Sequence, residues 1–278
     1  MKGYIQDFCG ESLGTFILVF FGCGSIAVSV LFSAYQGLFQ IAAVWGIGVT
    51  LAIYASRGLS CAHLNPAVSI AFVCARRMPI RKLPVYLIAQ FTGAFFAALL
   101  LYLIFSGSIA KFESANNIIR GASESVRTAM MFGEYFPSPS IDVSLISVSL
   151  LNAFIAEGLG TFLFIFLIFF ITEGCNLGRP DSSIAPVFIG AAVAGIISII
   201  APLTQAGLNP ARDFGPRLVA YLTGWGQVAI PGPKGGFFVV YILAPVLGGI
   251  LAAVIFTKII QPLMEKKVLF GKGCCEKN

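Results

Sequence analysis

The chain repeats itself, and the repeat constrains the fold more than any other feature. Glu11-Ser12-Leu13-Gly14-Thr15-Phe16 recurs as Glu157-Gly158-Leu159-Gly160-Thr161-Phe162, and Leu64-Asn65-Pro66-Ala67 recurs as Leu208-Asn209-Pro210-Ala211. The offsets, 146 and 144 residues, describe one duplication. Each copy holds three apolar stretches of about the 20 residues that a spanning helix needs. They fall near 8–31, 38–55 and 83–105 in the first copy, and near 147–171, 183–200 and 237–260 in the second. Three is odd, so the copies enter a bilayer with opposite orientation. An inverted repeat of this kind keeps its functional site near the membrane midplane, between the halves.

Composition agrees. The 278 residues are 58% hydrophobic and 11% charged, against about 25% charged in a soluble domain. Thirty Gly and twenty-six Phe suit closely packed membrane helices. The net charge of +6 reads as an excess on the cytoplasmic side. Arg76, Arg77, Arg81 and Lys82, then Arg179, then Lys258, Lys266, Lys267, Lys272 and Lys277 all fall on one side together with both termini. The expected organisation is one channel domain, 1–262, made of repeats 8–105 and 147–260 joined by an extracellular connection, 106–146, that could order over a pore mouth. A basic cytoplasmic tail, 263–278, follows, and Cys274 and Cys275 within it are conceivable lipidation sites. A plasma membrane is expected, the inner one if the source is bacterial, and the short termini suggest a bacterial inner membrane. No basic patch interleaved with aromatics argues for nucleic acid. Seven scattered Cys and a single His offer no metal-ligand spacing, and no cofactor is expected.

Two further apolar pieces, starting at Asn65 and Asn209, are too short to span. Each follows an irregular, small-residue stretch, 58–64 or 202–208. Irregular backbone survives at membrane depth only inside protein or beside a wet cavity, so both are expected to be re-entrant half-helices. Asn is a favoured N-cap and Pro a favoured first helical residue. Asn65-Pro66-Ala67 and Asn209-Pro210-Ala211 therefore read as helix starts brought together at the bilayer centre. Each start carries roughly half a positive charge, and two of them facing a lumen repel cations and hydronium. With its oxygen engaged in capping, each Asn has its amide NH2 free to donate to a passing oxygen. The preceding extended runs, Cys61, Ala62, His63, Leu64 and Gln205, Ala206, Gly207, Leu208, can offer carbonyls that replace lost hydration. A carbonyl ladder opposite an apolar wall suits a polyol.

Other residues have two readings each. Arg212 is a membrane arginine, hence costly and usually functional. It serves as the outer donor that orients solutes and excludes cations, or it merely pairs with Asp213. Glu11 and Glu157 brace the irregular loops or relay protons. His63 donates into the pore, bonds to Glu157, or does both. Trp45 is core filler or a wall of a constriction, and the Cys61 thiol faces the lumen or the protein.

These residues resemble the aquaporin–glycerol facilitator family over nearly the whole chain. The resemblance rests on the duplicated Asn-Pro-Ala motifs, on Ala62-His63-Leu64-Asn65-Pro66-Ala67-Val68, on Asn209-Pro210-Ala211-Arg212-Asp213-Phe214-Gly215-Pro216, and on Leu222-Thr223-Gly224-Trp225-Gly226. It implies an all-α membrane protein with six transmembrane helices and two re-entrant half-helices, one pore per subunit and a homotetramer. Asp213 after Arg212 marks the glycerol-conducting subgroup, whose solutes are glycerol, small polyols, urea-like neutral molecules and water. The resemblance also implies a filter of Trp45, Ile197, Ala206 and Arg212. Water-selective members carry a His where this chain has Ile197. Glycerol filters usually carry an aromatic in place of Ala206 and a Gly in place of Ile197, so this constriction has one aromatic wall and an aliphatic corner. A secondary transporter would need a mid-membrane ion or proton site, for which only Glu11 and Glu157 are available. An enzyme would need a nucleophile–base pair or metal cluster, which the sequence does not display.

Overall fold

In the computed structural model, described over residues 2–269 apart from 36 and 143, the first repeat forms α1 (Lys2–Phe32), α2 (Leu38–Ser56), α3 (Pro66–Cys74) and α4 (Leu83–Ala115). A short helix, α5 (Val126–Ala129), lies in the connection. The second repeat forms α6 (Leu150–Thr172), α7 (Ala185–Thr204), α8 (Pro210–Ala220) and α9 (Ala244–Ile255), and α9 continues through a wide turn, Phe256–Ile260, into α10 (Gln261–Leu269). Six of these helical stretches are long and apolar enough to cross a membrane. The half-helices α3 and α8 have 9 and 11 residues.

Packing follows the duplication. α1 lies against α2 and α4, as α6 lies against α7 and α9. Each half-helix packs on the third span of the other repeat, α8 on α4 and α3 on α9, so neither half can hold its pore segment alone. The crossings are close because glycine permits them. A Cβ on Gly93 would stand 2.1 Å from the Ser12 carbonyl oxygen, and one on Gly248 would stand 2.1 Å from that of Gly158.

Several expected boundaries move. α1 begins at Lys2 rather than near 8, and α7 runs on to Thr204, so 202–204 of the stretch expected to be irregular are helical. The third span does not end near 105: α4 runs on to Ala115, and the connection starts ten residues later than expected. At the C-terminus the helix passes through 262 to Leu269, and Cys274 and Cys275 lie outside the described residues.

Candidate pore and its constriction

The two irregular loops are built alike. The Glu11 carboxylate accepts from Ser60 Oγ at 2.8 Å, His63 N at 2.9 Å and Leu64 N at 2.7 Å. The Glu157 carboxylate accepts from Thr204 Oγ1 at 2.6 Å and from Gly207 N and Leu208 N at 2.8 Å each. Each hydroxyl also accepts the amide two residues on, Ala62 N or Ala206 N. Ala62, Leu64, Ala206 and Leu208 all have left-handed φ, from 51° to 60°. The loops are therefore not simply extended. Placing left-handed residues in alternation turns successive N–H groups to one side, where they form an anion-binding nest. A non-glycine residue in this region costs roughly 1–2 kcal/mol, and the fully buried carboxylates offset that cost.

With the N–H groups turned to the carboxylates, the other edge of each loop borders a cavity of about 300 Å³. Cys61, Ala62, His63 and Leu64 line it from the first loop, and Ala206, Gly207 and Leu208 from the second. Val49, Phe72, Phe164, Ile168 and Val193 are among its apolar lining. A second cavity of about 270 Å³ lies on the other side of Trp45 and Ile197, which border both spaces. Gln205 borders only the second. Its side chain accepts from Tyr135 N and donates to Met130 O, tying the 116–149 connection to the loop.

The two helix starts meet. Asn65 Oδ1 accepts from Ala67 N at 2.8 Å, and Asn209 Oδ1 accepts from Ala211 N at 3.0 Å and Arg212 N at 3.2 Å. Pro66 and Pro210 take the first helical positions. One N–H of each amide crosses the midline: Asn65 Nδ2 donates to Leu208 O at 2.9 Å, and Asn209 Nδ2 donates to Leu64 O at 2.8 Å. The remaining N–H of each is left for the cavity that both side chains border.

Arg212 does not pair with Asp213. Its guanidinium pairs with Glu134, from the connection between the repeats, and lies 4.2 Å from the Trp45 ring centroid. Trp45 in turn lies flat on Gly22, where any Cβ would meet the indole at 2.2 Å. Asp213 instead takes Arg217 Nε at 2.9 Å and Nη2 at 2.7 Å, and accepts Glu134 N at 2.8 Å. The order is thus Arg217, Asp213, Glu134, Arg212. His63 does not bond to Glu157 either. Its Nδ1 pairs with Ser69 Oγ at 3.2 Å, and its ring packs between Phe72 and Tyr86. Glu157 is already committed to the other loop.

Sequence reasoning missed Glu134, Arg217, Ser60 and Thr204. For Glu134 a signal existed: a lone acid within Met131-Phe132-Gly133-Glu134-Tyr135-Phe136 is flanked by residues that bury themselves.

The sequence model of the family described as major intrinsic protein matches residues 2–256. The chain belongs to the major intrinsic protein family. Among curated members, it is 44% identical over 244 residues to the glycerol uptake facilitator protein of Pseudomonas aeruginosa, covering 87% of this chain and 84% of that one. It is 42% identical to the glycerol uptake facilitator protein of Haemophilus influenzae, covering 90% and 92%. It is 39% identical to the propanediol uptake facilitator of Salmonella typhimurium, covering 92% and 94%. The solved aquaglyceroporin from Plasmodium falciparum superposes with a TM-score of 0.81 at 27% identity, covering 95% of this chain and 99% of that one. This major intrinsic protein is a multi-pass membrane channel and not an enzyme.

Proposed function

We propose that this channel passes glycerol and other small neutral solutes, with water, down their gradients while excluding ions and protons. The observation that carries this reading is the cavity itself. One side offers a run of loop backbone and two Asn amides, and the other is aliphatic and aromatic. A polyol presents hydroxyls on one edge and CH groups on the other, so it satisfies both walls at once. The names of the relatives support glycerol as the substrate, and a three-carbon diol facilitator among them supports tolerance of similar molecules.

In this reading Trp45, Ile197, Ala206 and Arg212 form the filter. Arg212 and the two helix starts at Asn65 and Asn209 supply the positive potential that rejects cations. Glu11 and Glu157 brace the loops; every oxygen of both already accepts from them or from Gln90, which speaks against a proton relay. The chain sits in the plasma membrane, the inner one in a bacterium, with both termini cytoplasmic, and forms a homotetramer with a pore in each subunit.

Stopped-flow light scattering on proteoliposomes tests the proposal. Glycerol, urea and water should cross rapidly, five-carbon polyols more slowly, and a trapped pH dye should report no added proton leak. Glycerol accumulation driven by a pH gradient would overturn the channel reading.

A further inference from the structure

The end of the 300 Å³ cavity away from the filter carries charge that polyol passage does not use. Arg57 and Arg179 both border it, with Cys61, Thr172 and Ser182. Arg57 follows Trp45 by twelve residues at the foot of α2, which places the two about 18 Å apart along the helix. Arg57 Nη1 donates to the Ser182 carbonyl at 2.9 Å and the guanidinium lies 5.6 Å from the Tyr54 ring centroid. Neither contact neutralises its charge. Arg179 is exposed. Among the described residues no carboxylate stands within ion-pair distance of either guanidinium, and no Asp or Glu borders the cavity. Asp181 is the nearest acid in sequence but does not border it, and Glu173 is paired with Arg77. Arginines that merely mark the cytoplasmic side need only face lipid headgroups and water. These two also border the cavity.

We propose that Arg57 and Arg179 form a binding site for a soluble phosphorylated polyol, which seats at this mouth and slows entry. The inference rests on the polyol-channel reading above. Guanidinium forks match phosphate oxygens in geometry as well as charge. The hydroxyl-bearing end of such an ester fits the carbonyl-lined stretch, while its doubly charged head is too costly to dehydrate and stays at the mouth. The reaction class that supplies the ligand is phosphoryl transfer to the transported polyol, so the product of that reaction would restrain uptake of its substrate.

Glycerol 3-phosphate is the probe. Calorimetric titration of the full chain in phosphatidylcholine nanodiscs should show saturable, salt-sensitive binding. Arg179→Gln, which breaks no side-chain hydrogen bond or ion pair among the described residues, should weaken binding about tenfold, the loss of one charge-assisted hydrogen bond. The Arg57→Gln, Arg179→Gln double variant should weaken it further, and the double Lys variant should retain part of it. In proteoliposomes, the ester on both faces should slow glycerol flux in the wild type and not in the double Gln variant, each compared with its own ester-free rate. Absence of binding, or equal binding by the double Gln variant, overturns the proposal. Equal affinity for inorganic phosphate overturns the role of the polyol end. Loss of binding in nanodiscs rich in phosphatidylglycerol assigns the arginines to lipid headgroups and overturns it too. Binding without glycerol flux would sink the channel reading alone; flux without binding would sink this inference alone.

Discussion

Glu157→Gln exchanges one oxygen of a fully buried side chain for an NH2 group, and the consequences can be worked out atom by atom. The carboxylate accepts three hydrogen bonds: Thr204 Oγ1 and Gly207 N on Oε1, and Leu208 N on Oε2. A Gln keeps one acceptor, which serves best on the side with two donors. Leu208 N then faces another donor. Loss of one hydrogen bond to a charged acceptor costs about 1.5–3 kcal/mol, and the two survivors weaken because their acceptor is now neutral. Ala206 and Leu208 hold left-handed φ of 60° and 54°, each at roughly 1–2 kcal/mol. The bonds lost are thus comparable to the strain they restrain, and the second loop should sample other conformations. Leu208 O is also the acceptor for Asn65 Nδ2, so the disturbance reaches the midline. We expect the midpoint of thermal unfolding in detergent to fall by about 5–10 °C, taking 2–4 °C per kcal/mol, and glycerol flux to drop several-fold without vanishing. Unchanged unfolding and unchanged flux together would refute the bracing argument.

Three further outcomes are expected. Arg212→Ala, combined with Glu134→Gln so that no buried carboxylate is left unpaired, should raise proton and small-cation leak in proteoliposomes while glycerol still passes; an unaltered leak would move the barrier to the helix starts. Ala206→Phe should reduce passage of a five-carbon polyol more than that of water, since one apolar contact is worth about 1–3 kcal/mol of discrimination. Equal changes for both solutes would remove Ala206 from the filter. Cys61 is exposed and borders the main cavity, so mercurial block of glycerol flux should disappear in Cys61→Ser; block that persists in that variant points to another cysteine.

What the sequence revealed and what it hid divide along a physical line. Asn65, Pro66, Asn209 and Pro210 act within their own helix starts, and capping is a local property of residue type and position, so it is readable from a dozen residues. Glu11 and Glu157 were legible for a different reason: a buried acid recurring at the same place in two copies needs donors, and the only backbone donors left over at that depth belong to the irregular loops. The extent of α4 was not legible from hydropathy. Ser106, Ser108, Lys111 and Glu113 lower the hydropathy, yet Lys and Glu are good helix formers. A helix of 33 residues spans about 50 Å and simply outruns a hydrocarbon layer of about 30 Å.

The partner of Arg212 was hidden more deeply. Glu134 reaches it from a segment almost eighty residues away in sequence, through a connection whose path depends on Tyr135 N meeting Gln205 Oε1 and Glu134 N meeting Asp213 Oδ1. No repeat echoes it, because the connection lies between the two copies and belongs to neither. That asymmetry is where function can enter a duplicated fold. The inverted repeat supplies two equivalent loops, two equivalent carboxylates and two equivalent helix starts. It supplies Arg212 in one half only, where the first half has Val68 at the matching place. A buried arginine in a membrane requires a counter-charge, and a symmetric scaffold has none to spare because Glu11 and Glu157 are both committed to their loops. The acid therefore has to come from outside the repeat, and the 116–149 connection is the segment that brings it.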